Sequence, residues 1–187
     1  MSSAHKKVIV RRFTGDTLPG YLPLAGFVRN RATQHPPQNF IDLLDLEGRV
    51  ISLPLNDIKH ISYVRDFNLA DPANPERLTR RTFLARPRTE GLWLRLTFRS
   101  GDLLEGLAPT DTGLLDDLIN DAGLQITPPD TRSNTQRIYV PRTSLTSLQL
   151  IAVITSPSKR KPIPGDSVPS MQEDLFKSLI PPNTRPN

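Results

Sequence analysis

Within nine residues the chain places Arg80, Arg81, Arg86 and Arg88, in "RRTFLARPR", and Trp93 and Arg95 follow on an alternating apolar stretch. Guanidinium groups interleaved with aromatic rings are what a phosphate backbone and its bases require, charge for one and a stacking face for the other. The same cluster also suits an acidic protein surface, or a linker that only has to stay solvated. Trp93 lies opposite the apolar stripe, beside Arg95, and so offers either a stacking platform or a cover for a seam between domains. Tyr139, in "QRIYVP", is the other aromatic of interest. Candidate binding residues are therefore Arg80, Arg81, Arg86, Arg88, Trp93, Arg95 and Tyr139.

Catalytic chemistry is harder to assemble. The three histidines, His5, His35 and His60, are far apart with no carboxylate at ligand spacing, so no metal is expected. Asp116, Asp117 and Asp121 lack the regular donor spacing and glycine of a calcium loop and read as a solvated face. No phosphate loop or nucleophile elbow occurs, and with no cysteine there is no thiol nucleophile, thiolate site or disulfide. The expectation is a non-catalytic protein without cofactor.

The elements that must position these residues are legible in part. Residues 1–100 carry a net charge of +7 and residues 101–187 a net −2, so the basic excess lies in the first half and its end. Nineteen prolines, about twice the usual share, point to a part of the chain that stays unfolded. No apolar run reaches the length of a membrane span or a signal-peptide core, so a cytoplasmic protein with no membrane partner is expected.

One pattern occurs twice. Val8 to Phe13 followed by "TGDTLPG" aligns with Leu94 to Arg99 followed by "SGDLLEG" at a shift of 86. Ile51-Ser52-Leu53-Pro54 and Ile58 to Ile61 align with Ile138-Tyr139-Val140-Pro141 and Leu145 to Leu148 at a shift of 87. Two landmarks at nearly one interval indicate tandem duplication. Leu92, Leu94, Leu96 and Phe98 alternate with polar or exposed partners, the period of a half-buried strand. Gly-Asp then supplies a hairpin, the next glycine (Gly20, Gly106) a bend, and Pro54 and Pro141 a corner before the last strand.

Between the landmarks the copies differ. Residues 112–121 read as a short helical turn, with two short strands as the alternative. The linker has a helix start at Asn74-Pro75-Glu76 and stops before Pro87, or else runs extended with Phe83 and Leu84 pinned to a barrel. Seven prolines after Ser156 mark a disordered tail. Within it Ser170 and Glu173 form a capping box for a helix over 171–180, whose Met171, Leu175 and Leu179 could dock on a partner or back on the protein.

The phrases "TFLARPRTEGLWLRLTFRSGDLLEGL", "ITPPDTRSNTQRIYVPRTSLTSLQLI" and "DIKHISYVRDF" resemble an uncharacterised bacterial domain of unknown function over residues 6–155. More distantly, each repeat is similar to the Sm-like barrel of RNA-binding ring proteins, with "SGDLLEG" for the first motif and "QRIYVPRTSLTSL" for the second. That resemblance implies a small, strongly bent barrel, and it puts Tyr139 at the position of a uridine-pocket tyrosine. Val140 and Pro141 replace the basic pair that follows there. Arg95 and Arg99 resemble the R-x-x-x-R of cyclic-dinucleotide-binding PilZ barrels, but the partner motif is missing.

The expected architecture is mainly β: two tandem Sm-like antiparallel barrels at 1–67 and 92–155, a basic linker at 68–91 and a tail at 156–187. The expected function is regulatory or scaffolding protein binding through a barrel face and the tail. RNA binding through the arginine cluster is the alternative, an enzyme of unknown class ranks third, and homo-oligomers are compatible with either binding mode.

Overall fold

The structure, a computed structural model, describes residues 5–31, 38–110, 123–130 and 134–155. Eleven strands account for most of these: β1 (Lys6–Arg12), β2 (Thr17–Leu22), β3 (Val28–Arg31), β4 (Gln38–Leu44), β5 (Val50–Pro54), β6 (Ile58–Val64), β7 (Gly91–Phe98), β8 (Leu103–Ala108), β9 (Leu124–Ile126), β10 (Thr135–Val140) and β11 (Leu145–Ile154). One-turn 3₁₀ segments at Leu55–Asp57 and Arg142–Ser144 form the two proline corners. The chain is thus mainly antiparallel β. Residues 112–121 and the tail helix with Met171, Leu175 and Leu179 lie outside the described residues.

The two expected closed barrels are not what forms. One sheet runs β3-β4-β2-β1-β6-β10-β9 with β5 on the far edge of β4, and a second runs β11-β7-β8; both are open. The physical reason is that β6, the last strand of the first half, gives its outer edge to β10 of the second half. Tyr139 pairs with Ile61, Ile138 with Ser62 and Arg137 with Tyr63, so the edge that would have closed a barrel is already used.

Pairings nevertheless recur along the chain. Val10 opposes Leu18 and Ile61, and 86 or 87 residues later Leu96 opposes Leu104 and Leu148. Each hairpin closes with a backbone bond from the strand end to the aspartate, Arg12 N to Asp16 O at 3.0 Å and Phe98 N to Asp102 O at 2.9 Å. Gly15 and Gly101 take the positive φ that the turn needs, 94° and 83°. Two cores result. Val8, Val10, Leu22, Ile41, Leu43, Leu53 and Ile58 fill one, and Leu94, Leu96, Phe98, Leu104, Ile126, Ile138 and Val140 the other. Tyr139 points from β10 back into the first core while its neighbours Ile138 and Val140 point into the second. The alternation of one strand therefore joins two cores.

The second glycine of each repeat makes room for a crossing strand. A Cβ on Gly20 would stand 2.5 Å from the carbonyl oxygen of Leu44, and one on Gly106 2.6 Å from the tip of Ile126. A backbone oxygen cannot swing aside as a side-chain methyl can. Gly20→Ala is therefore expected to cost about 2 to 3 kcal/mol in urea unfolding, as overpacked cores do. Gly106→Ala should also destabilise, because the Ile126 Cβ, which no side-chain rotation can move, would lie only 2.9 Å away, and an undiminished stability at either position would contradict this origin of the bend.

Candidate binding surface

The linker does not form the expected helix. Asp71 Oδ1 accepts bonds from the backbone of Ala73 and Asn74, and Asn74 Oδ1 accepts one from Leu78 N at 2.9 Å, so side chains take the amides a helix would use. Arg77 then adopts a left-handed φ of 52°, which ends any helical path. Glu76, which looked like a first-turn helix residue, turns inward instead. It is 2% exposed, and its carboxylate receives Arg11 Nε and Nη2 at 2.6 and 2.9 Å while its carbonyl accepts from Thr135 Oγ1. One residue ties the linker to both halves.

From there the linker runs as an extended strap held by Glu105, a buried carboxylate on β8. Glu105 N donates to Arg81 O at 2.7 Å, and Phe83 N donates to Glu105 Oε2 at 2.9 Å. The same carboxylate accepts Trp93 Nε1 at 3.2 Å and Arg95 Nε and Nη2 at 3.0 and 2.8 Å. Phe83 packs edge-on against Trp93, with ring centroids 5.6 Å apart, whereas Leu84 stays exposed. Trp93 and Arg95 are therefore brought together around Glu105, in contact with the strap. Arg80, Arg81, Arg86 and Arg88 stand exposed along it, Arg81 at 3.6 Å from Asp102. Glu105 was missed in the sequence. The available signal was its place in the hairpin "LRLTFRSGDLLEG", which sets it opposite Arg95 across two antiparallel strands.

Tyr139 sits elsewhere. It is 2% exposed and meets Phe27 edge-on at 4.9 Å. Together with Gly26, Val28, Gly123 and Gln125 these rings line a cleft of about 300 Å³. Gln125 is fixed across its mouth, donating to Leu24 O at 2.9 Å and accepting from Arg137 at 3.2 Å. The cleft is thus a mostly apolar recess with one amide, separate from the arginine strap.

His60 is a further buried polar group. Neither of its ring nitrogens has a hydrogen-bond partner, and its ring lies against Phe98 at 5.8 Å. Burial first, then the charges of Arg11, Lys59 and Arg81, push its pKa down to about 3, so it is held neutral. Lys59 beside it is engaged by Asp102 of the second half, and Arg99 stacks over Phe13 at 4.4 Å and donates to Asn56 O at 2.7 Å.

Among the described residues, β5 and β11 each have one strand edge without a backbone partner. β6 and β11 hold equivalent places in the two halves, yet β6 is buried almost throughout while β11 is exposed from Thr146 to Leu150. Leu148, Leu150 and Val153 are 37%, 52% and 50% exposed, and Val50 on the free edge of β5 is 67% exposed. Among the described residues no three His, Asp or Glu side chains gather as a metal site would need, and no helix is long and apolar enough to cross a membrane.

Two stability measurements check this assembly. Because the folded pKa of His60 lies below its unfolded value near 6.5, the unfolded chain takes up the proton first as pH falls. Stability should therefore be full above about pH 7 and decline between 6.5 and about 3, by about 1.4 kcal/mol per pH unit. A His60→Gln chain that keeps the same slope in urea titrations at several pH values would contradict the assignment. Glu105→Ala should destabilise by about 2 kcal/mol and release the strap. The expected readout is faster tryptic cleavage after Arg81 and Arg88 under native conditions, and a strap cleaved no faster than in the parent chain would refute the role of Glu105.

No curated protein and no solved structure matches the chain. Residues 4–152 match a family of unknown function, DUF6982. That span includes all eleven strands except the last two residues of β11. The chain belongs to the DUF6982 family of unknown function.

Proposed function

We propose that this chain is a non-catalytic scaffolding protein, a tandem pair of Sm-like bent-sheet units that binds other protein chains through its open strand edges. The recurrence of the hairpin, the bend glycine, the 3₁₀ corner and the strand register at a shift of 86 or 87 supports the duplicated unit. The observation that carries the binding reading is β11, ten residues long, uncharged, without proline, and, among the described residues, hydrogen-bonded on one side only. Soluble proteins usually blunt such an edge with charge, proline or a short strand, and an unblunted edge is what strand-addition partners use. A bacterial cytoplasmic setting belongs to this reading and agrees with a chain that contains no cysteine.

RNA binding is the second reading, favoured by the four exposed arginines on a strap pinned at both ends. It places the ligand on the strap rather than the strand edges.

A pull-down with the purified chain from lysate, with and without nuclease, separates them. Scaffolding predicts a protein retained after nuclease treatment and released by Leu150→Lys. RNA binding predicts retained nucleic acid, lost with rising salt and with alanine at Arg80, Arg81, Arg86 and Arg88. Retention of protein and RNA unaffected by either variant would overturn both.

A further inference from the structure

The β6–β10 seam is a template for a contact the chain has not used up. β10 belongs to the second half, and its counterpart in the first half, at a shift of 87, is β5; the counterpart of β6 is β11. β6 and β10 pair with each other, which among the described residues leaves one edge each of β5 and β11 open. The burial of equivalent residues shows what the seam covers. Ile61 and Tyr63 are 0% and 3% exposed, and their counterparts Leu148 and Leu150 are 37% and 52% exposed. On the other strand Ile138 is fully buried, while its counterpart Ile51 is only partly so and the neighbouring Val50 is 67% exposed.

A single chain thus presents the two complementary sides of one interface at different places on its surface. Resting on the scaffolding reading above, we propose that β11 of one chain pairs antiparallel with β5 of a second copy. Transferring the seam register residue by residue sets Leu150 opposite Val50, Gln149 opposite Ile51 and Leu148 opposite Ser52.

Local geometry favours this stretch. β11 pairs regularly with β7 from Ser147 to Leu150, and its two register shifts fall on either side, so the outer edge is straight where the partner would lie. Neither β5 nor β11 carries a charge, so no like-charge repulsion opposes the pairing. The contact joins unlike surfaces, so it propagates head to tail and must close into a ring or continue as a filament. One difference sets its strength. Where the internal seam has Tyr139 driven into the first core, the external one has Ser52, exposed on β5. The external contact buries less apolar surface and is therefore reversible, whereas the internal one is part of the fold.

The chain has no cysteine, which makes a cross-linking test clean. Val50→Cys and Leu150→Cys chains, purified separately and mixed under mild oxidation, should yield a disulfide-linked mixed dimer. Val50→Cys mixed with Gln149→Cys, whose side chain falls on the other face, should yield much less. Light scattering of the parent chain over a dilution series should give masses that are multiples of 20.9 kDa. Leu150→Lys, at an exposed position, should keep the same circular dichroism and melting while weakening self-association at least about tenfold. A parent chain that stays monomeric, or cross-linking that ignores register, overturns self-pairing. If the monomer still captures a different protein that Leu150→Lys releases, the scaffolding reading survives without self-pairing; if it captures none, both fall.

Discussion

β6 has two edges whose amides and carbonyls need partners, and it finds them in β1 on one side and in β10, more than seventy residues along the chain, on the other. An unpaired backbone group inside the protein costs about as much as a lost hydrogen bond, so this long-range pairing is not optional once β6 is buried. It fixes the rest. With β10 in place, Tyr139 enters the first core, Ile138 and Val140 enter the second, and β9 follows at the sheet's end. The strap then has a set distance to cover, and it is fastened at Glu76 near the seam and at Glu105 farther on. The same pairing leaves β5 and β11 exposed, because their counterparts have satisfied each other.

Two carboxylates show how buried charge can specify the path of a chain segment. Glu76 and Glu105 are each 2% exposed, and each is met by an arginine and by linker backbone or its neighbours. Deleting one partner of such a group leaves the other donors unsatisfied, so these positions tolerate little change. Their work is to hold an arginine-rich strap extended. His60 is buried by the same packing but left neutral and unbonded, a cost in stability that grows as pH falls.

Local features were legible in the sequence: the alternation in β7, the Gly-Asp hairpins and the proline corners reflect chemistry within a few residues, and their recurrence at a shift of 86 or 87 made the doubled unit legible too. What the sequence did not reveal depends on contacts between distant segments. Open sheets replace closed barrels because β10 takes the edge of β6, and nothing near "IYV" marks that choice. The linker's Asn74-Pro75-Glu76 has the right residues for a helix start, but Glu76 bonds Arg11 and Arg77 turns left-handed, so tertiary contacts override a local signal. Trp93 and Arg95 were read as a candidate platform, and Glu105, which engages both, was invisible until the hairpin register was known.

Hydrogen exchange of β6 and β11, followed by mass spectrometry across a dilution series, tests the central claim most directly, because the two strands hold equivalent positions in the two halves and are covered differently on their outer edges. The expected result is strong protection of Ile58–Val64 at every concentration, with protection of Leu145–Ile154 rising as the protein is concentrated. Protection of β11 that does not depend on concentration, or a β6 that exchanges as fast as β11 in dilute protein, would contradict it.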